Sequence, residues 1–126
     1  NARDLSKVWL MLQNRGVYDD SVYLSERTID LFTVAQYPNN DNRRGLGFDK
    51  PMLEYDSARS GVAEAASTRS YGHTGYTGPI VWADPDKDLL FIFLCNRVYP
   101  TRNNRALYEM GIRPKIHQLL YEAIEN

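Results

Sequence analysis

Two apolar runs, Pro79 to Ala83 and Leu89 to Leu94, are separated by the five residues Asp84-Pro85-Asp86-Lys87-Asp88. A connection that short and that rich in turn formers joins neighbouring antiparallel strands and leaves no room for a helical crossover. Leu89 to Leu94 has no polar residue, which implies a central strand covered on both sheet faces. The chain is thereby committed to a β-meander that must recruit helices from elsewhere in its length.

Helices are available at both ends. Leu5, Val8, Trp9 and Leu12 recur at i, i+3, i+4 and i+7, so residues 3 to 14 are expected to bury one helical stripe, with Asn1 as N-cap and Asp4 complementing the dipole. Ser25 caps a second helix from Glu26 to about Val34, in which Leu24 and Ile29 form a hydrophobic staple and Ile29 and Phe32 face inward. Ile112, Ile116, Leu119, Leu120, Ala123 and Ile124 mark a closing helix, with Pro114 tolerated in its first turn. Between them, Gln36 to Arg44 reads as an exposed loop and Gly45 to Asp49 as a short strand. Residues 56 to 70 read as mobile, or as one helical turn near Val62 to Ala66. The expected fold class is α+β, a three-stranded antiparallel meander plus a short strand packed with N-terminal and C-terminal helices. Residues 1 to 35 form a helical segment, 36 to 70 a loop-rich one, and 71 to 126 the meander and closing helix.

Composition narrows the function. The 126 residues are 43% hydrophobic and 25% charged with a formal net charge of −1, values of an ordinary globular chain without a field that draws it to nucleic acid or an anionic membrane. Arg97, Arg102, Arg105, Arg113 and Lys115 carry no nucleic-acid motif and read as solvated surface. The single cysteine, Cys95, excludes an internal disulfide and reads as a buried structural thiol. No apolar run approaches the ~20 residues of a membrane span.

The segment that carries chemistry is Gly72-His73-Thr74-Gly75-Tyr76-Thr77-Gly78, expected as a strand from Ser70 to Tyr76 followed by a turn. Glycine weakens a strand interior by roughly 0.5–1 kcal/mol relative to alanine, so such a cluster signals close approach of another backbone or of a ligand.

From this heptad onward the chain resembles the end of the serine β-lactamase-like family, which includes class C β-lactamases, low-molecular-weight penicillin-binding proteins, esterases and aminopeptidases. The family's Lys/His-Thr/Ser-Gly motif corresponds to His73-Thr74-Gly75. It is followed here by Tyr76-Thr77-Gly78, by Trp82-Ala83-Asp84-Pro85 leading into Leu89 to Cys95, and by Asn96-Arg97. The opening helices resemble the helical segment that precedes the motif, and Ile112 to His117 resembles members fused behind a glycoside hydrolase. The resemblance implies the C-terminal portion of a β-lactamase/transpeptidase-like fold.

It also implies acyl transfer, hydrolysing an amide or an ester. The family's nucleophile is the serine of a Ser-x-x-Lys motif, and no such motif occurs in these residues. Tyr37-Pro38-Asn39 matches the family's Tyr-x-Asn pattern by coincidence, being far too close to His73. The implied roles are therefore those of one wall of a site. The strand edge from His73 to Tyr76 pairs with the acyl chain, Thr74 offers its hydroxyl, and the N–H of Tyr76, after Gly75, is one of two oxyanion donors. Lysine at the first motif position keeps a fixed charge at neutral pH, whereas a histidine there is mostly neutral. His73 thus implies weaker attraction for a substrate carboxylate and an esterase- or peptidase-like parent. His117 reads as a boundary residue of the last helix. No cofactor or metal is expected. The expected partners are the missing N-terminal part of the same domain and a small-molecule or peptide acyl substrate, with self-association of the fragment and no nucleic acid. The resemblance places the parent in the periplasm or cell envelope. Two other readings remain: a non-catalytic member that uses the groove for peptide binding or assembly, and a self-contained interaction module.

Overall fold

The computed structural model describes residues 1–39 and 42–125; Asn40 and Asp41, in the expected Gln36 to Arg44 loop, lie outside the described residues. The chain orders as α1 (Ala2–Gln13), β1 (Val17–Tyr18), β2 (Ser21–Val22), α2 (Glu26–Thr33), β3 (Tyr71–Thr74), β4 (Ile80–Asp84), β5 (Leu89–Phe93), α3 (Ala106–Glu109) and α4 (Ile112–Glu125). The α+β class and the antiparallel order β3-β4-β5 are as expected. Both helix starts are too: the Asn1 side chain accepts from Asp4 N–H and the Ser25 side chain from Thr28 N–H.

The central strand is β4, whose five residues are all buried, while the more apolar β5 lies at the sheet's edge and is mostly half-buried. Continuous apolarity was thus no guide to position in the sheet. On one face, Trp9 of α1, Tyr71, Val81 and Ala83 form a buried cluster flanked by Leu5, Leu12, Phe48, Leu90 and Ile92. Trp9 stacks on Tyr71 with ring centroids 6.1 Å apart, and Phe48 meets both rings edge-on. On the other face, Val62, Ile80, Trp82 and Phe91 pack with Ile116 and Leu120 of α4. Both faces are covered, as the apolar runs required.

Several expectations fail, each for a physical reason. Val8 is 53% exposed and Phe32 43%, because the buried stripes of α1 and α2 are narrower than their apolar spacing. Gly45 to Asp49 is not a strand, since Gly47 sits at φ 83°; only Asp49 bridges to Gly72. Residues 56 to 70 form no helix but carry hydrogen-bonded turns at Asp56 to Ser60 and Ala63 to Ala66, and they are tied into the core, with Val62, Ala63 and Ser70 buried. The hairpin β1-β2 was unexpected. It turns through Asp19 and Asp20, both at positive φ, as a two-residue hairpin demands.

The closing helix holds the largest departure. It buries Arg113, His117 and Tyr121, spaced at i, i+4 and i+8, while Leu119 and Ile124 remain exposed. Each buried polar group meets a specific partner. Tyr121 Oη donates to the fully buried Asp84 carboxylate at 2.7 Å, and that carboxylate also accepts from Ser67 N–H, Ser67 Oγ and Asp86 N–H. Asp84, expected as a turn former, is therefore the last residue of β4 and an interior anchor. His117 stacks on Phe91 at 4.6 Å and its Nδ1 accepts from Ala63 N–H at 3.3 Å, so it is a core residue and not a boundary one. With Nδ1 accepting, the neutral ring carries its proton on Nε2, which has no partner among the described residues.

Burial lowers His117 to about 4, far below the ordinary histidine value of 6.5, because the cation would be desolvated. The unfolded chain therefore binds an extra proton between those values. His117 contributes its full stabilisation above about pH 6.5 and loses it as the pH falls toward about 4, an effect of about 3 kcal/mol. Urea unfolding across that window is expected to show this loss, and the His117→Phe variant to show a correspondingly shallower slope. Equal slopes in the two proteins would refute the assignment.

Candidate functional site

Strand β3 is the edge of its sheet on the side away from β5, and its register with β4 decides which groups face outward. Gly72 spends both backbone groups on Asp49, at 2.7 and 3.0 Å, on the side away from β4. Antiparallel alternation then turns His73 and Gly75 toward β4 and leaves the backbone groups of Thr74 and Tyr76 on the free side. Gly75 N–H closes this ladder on Pro79 C=O at 2.9 Å. Tyr76 N–H has no acceptor among the described residues and is no part of the interior ladder.

The turn after β3 fixes where that N–H points. Gly78 N–H donates to Gly75 C=O at 2.9 Å, and because the peptide unit is planar and trans, the Tyr76 N–H on the same unit points the opposite way, out of the turn. The other turn carbonyls are held as well. Tyr76 C=O accepts from Arg97 Nε at 3.0 Å, Thr77 C=O from Arg97 N–H at 2.9 Å, and Gly78 C=O from Arg113 Nη1 at 3.4 Å. All acceptors of the turn face inward, so its outer side presents donors, an arrangement that favours an anion.

His73, Thr74, Gly75 and Tyr76 lie consecutively along this edge, though not on one face. His73 shares its face with Tyr71 and α1, and Thr74 shares the opposite one with Ile80, beside a cavity of about 200 Å³ lined also by Trp82, Val62 and Arg113. His73 is exposed and meets a partner that the sequence did not announce. Arg44 Nη2 lies 3.2 Å from His73 Nε2, while Arg44 Nε is held 3.1 Å from the Asp49 carboxylate. A guanidinium only donates, so Nε2 accepts and the proton sits on Nδ1, which donates to Thr74 C=O at 3.0 Å. Arg44 thus brings a permanent cation to the motif.

The three glycines owe their identity to internal packing and not to a ligand. A Cβ on Gly72 would penetrate the Trp82 indole, one on Gly75 would press on Pro79, and one on Gly78 would lie 2.7 Å from both Cys95 Sγ and Leu107 Cδ2. Cys95 is half-buried rather than buried, and burial raises its thiol above the ordinary value. Arg113 is buried and Arg97 partly so, which corrects their reading as solvated surface. Tyr37 lines a cavity of about 90 Å³ with Met52 and Leu53, next to the one beside Thr74. A cavity of about 540 Å³ lies between α1, α2, Lys50 and Tyr71, and no motif residue lines it. Lys50 there donates to Arg69 C=O, and burial, followed by the Arg69 charge, lowers it to about 8.

The chain is similar to proteins of known family and fold. A family model described as Beta-lactamase matches residues 1–111. A putative D-alanyl-D-alanine carboxypeptidase of Escherichia coli O157:H7 is 28% identical over 118 residues, covering 90% of this chain and 26% of that protein. An N-acetylmuramyl-L-alanine amidase of Bacillus subtilis (strain 168) is 28% identical over 134 residues, covering 99% of this chain and 30% of that protein. The solved structure of a beta-lactamase from Mycobacterium bovis superposes with a TM-score of 0.75 at 21% identity, covering 98% of this chain and 44% of that one, which shows the shared fold. The chain spans only 26% to 30% of the length of these two curated relatives.

Gly78 sits at φ 111°, which L-residues rarely adopt, and has no room for a side chain, whereas Gly47 at φ 83° faces open space. Gly47→Ala should cost only its backbone strain, about 1–2 kcal/mol. Gly78→Ala should cost more, because the clash adds to the strain. Thermal unfolding of the two variants compares them directly; equal losses would contradict the packing account.

Proposed function

The chain belongs to the beta-lactamase family, and from that premise we propose that it is the C-terminal part of a serine hydrolase that supplies one wall of an acyl-transfer site. The observation that carries the proposal is the outward, unpartnered N–H of Tyr76 at the end of His73-Thr74-Gly75, held in a turn whose carbonyls are all engaged. Such an N–H is half of an oxyanion hole. A single donor of this kind contributes about 3–4 kcal/mol in the transition state when its partner donor completes the oxygen's surroundings. The partner donor and the nucleophilic serine of Ser-x-x-Lys, which these residues do not contain, are assigned to polypeptide outside the chain. The large share of each curated relative that the chain does not span supports this division. Exposed apolar side chains on and after α2, among them Leu31, Val34 and Tyr37, are assigned to the contact with that remaining part.

The substrate class we propose is an amide or ester whose acyl chain lies along the free edge at Thr74 and Tyr76. Arg44 changes what His73 alone implied. With a permanent cation held against the ring, a carboxylate on the substrate meets a charged donor at the motif, which favours a peptide ending in a carboxylate. The relatives' names, a putative D-alanyl-D-alanine carboxypeptidase and an N-acetylmuramyl-L-alanine amidase, support this class, and with it we propose a periplasmic or cell-envelope location.

Labelling with a fluorescent penicillin tests the division of the site. The full-length protein is expected to form a covalent adduct at a serine outside these residues, and residues 1–126 alone to form none. Stoichiometric labelling of residues 1–126 at a serine would sink the reading. A full-length protein that binds peptide without labelling would favour a non-catalytic binding role instead. In the full-length protein, Arg44→Gln is expected to lower kcat/KM for a carboxylate-bearing ester roughly tenfold or more relative to a neutral ester. An unchanged ratio would remove Arg44 from substrate recognition.

A further inference from the structure

Arg97 is bonded unlike a surface arginine. Among the described residues no carboxylate pairs with it, and its donors go to backbone carbonyls and, from Nε at 2.8 Å, to Tyr108 Oη. Its Nε donates to Tyr76 C=O at 3.0 Å, and its own N–H to Thr77 C=O at 2.9 Å. Its Nη1 reaches Arg102 C=O at 3.1 Å and Asn104 C=O at 3.2 Å. The guanidinium also lies 4.7 Å from the Tyr76 ring centroid and 4.8 Å from that of Tyr108, whose other neighbour is Arg113 at 5.2 Å. Cations and rings thus alternate in one stack, and Tyr108 Oη adds a longer contact to Tyr76 C=O at 3.4 Å.

This places Tyr76 under control from two sides. Its ring and its carbonyl are both held by Arg97, while the peptide unit before it is held through Gly75 C=O by Gly78 N–H. With both flanking peptide planes restrained, Tyr76 has little freedom to swing its N–H away from a developing negative charge. We infer that Arg97 is a positioning residue for the oxyanion donor: it does not touch the reacting atoms, but it keeps the Tyr76 N–H aimed where the oxygen of the tetrahedral intermediate forms. The inference rests on the reading of Tyr76 N–H as that donor. It also explains why a guanidinium is required, since lysine has neither a planar face to lie between two rings nor a fork that can serve Tyr76, Arg102 and Asn104 together.

The experiment compares Arg97→Lys, Tyr108→Leu and Tyr76→Pro in the full-length protein, measuring kcat and KM on a chromogenic ester, affinity for phenylboronic acid as a tetrahedral mimic, and melting temperature. Arg97→Lys is expected to lower kcat roughly tenfold to a hundredfold with KM nearly unchanged, and to weaken boronate binding in parallel. Tyr108→Leu, which removes one ring of the stack and the hydroxyl that accepts from Arg97 Nε but leaves the bonds of Arg97 to backbone carbonyls, is expected to show a smaller loss of the same kind and keeps the test decisive if Arg97→Lys does not fold. Tyr76→Pro deletes the N–H itself and is expected to lose most of kcat. If Tyr76→Pro keeps its rate, the oxyanion reading fails and the inference with it. If Tyr76→Pro loses its rate while Arg97→Lys and Tyr108→Leu change only in melting temperature, Arg97 is structural and the inference alone is overturned.

Discussion

One carboxylate organises the interior. Asp84 is fully buried and makes no ion pair among the described residues; it is satisfied instead by Ser67 N–H and Oγ, Asp86 N–H and Tyr121 Oη. A buried charge is tolerable only when such donors surround it, so these groups must be brought to one point for the chain to fold. The point lies where the end of β4, the loop before β3 and the middle of α4 converge. From it the hydrogen bonds continue: Ser67 Oγ accepts from Ser70 N–H, and Ser70 Oγ accepts from Trp82 Nε1–H. Trp82 in turn lies flat beneath Gly72, one residue before His73. The polar interior therefore runs without a break from the closing helix to the underside of the motif strand.

The site is built on the opposite principle. Around Asp84 donors gather on an acceptor inside the protein; at the turn after β3, donors inside the protein occupy the carbonyls and leave N–H groups on the outside. The same bookkeeping of backbone groups that stabilises a core here creates a surface with a preference for negative charge. Arg44 adds to that preference from a loop far along the chain, and the packing of Phe48 against Trp9 and Tyr71 fastens the segment that carries Arg44 and Asp49 to the sheet.

How much of this could be read in advance depended on range. The capped starts of α1 and α2, the β4-β5 hairpin and the motif at His73 to Tyr76 are encoded by neighbouring residues and were legible. The hairpin through Asp19 and Asp20 carried a local signal too, two turn-forming residues between Val17-Tyr18 and Ser21-Val22, and went unread because its strands have only two residues each. The inward face of α4 could not be found by hydropathy. Arg113, His117 and Tyr121 are buried because Gly78 C=O, Ala63 N–H and the Asp84 carboxylate await them, and those partners are distant in sequence. Arg44 and Arg97 were invisible for the same reason: a guanidinium bonded to carbonyls or to a ring nitrogen has no mark in the sequence that separates it from a solvated one.

The donors that shape the turn are Gly78 within it and Arg97, Tyr108 and Arg113 after it, all from the same contiguous stretch. The turn that aims Tyr76 N–H is therefore held by one continuous passage of polypeptide, and the bonds from the segments before β3 reach only Gly72 and His73 upstream of it. Such an arrangement uncouples the two parts: a change in the loop of Arg44 alters the charge beside His73 and leaves in place every bond that orients the Tyr76 peptide.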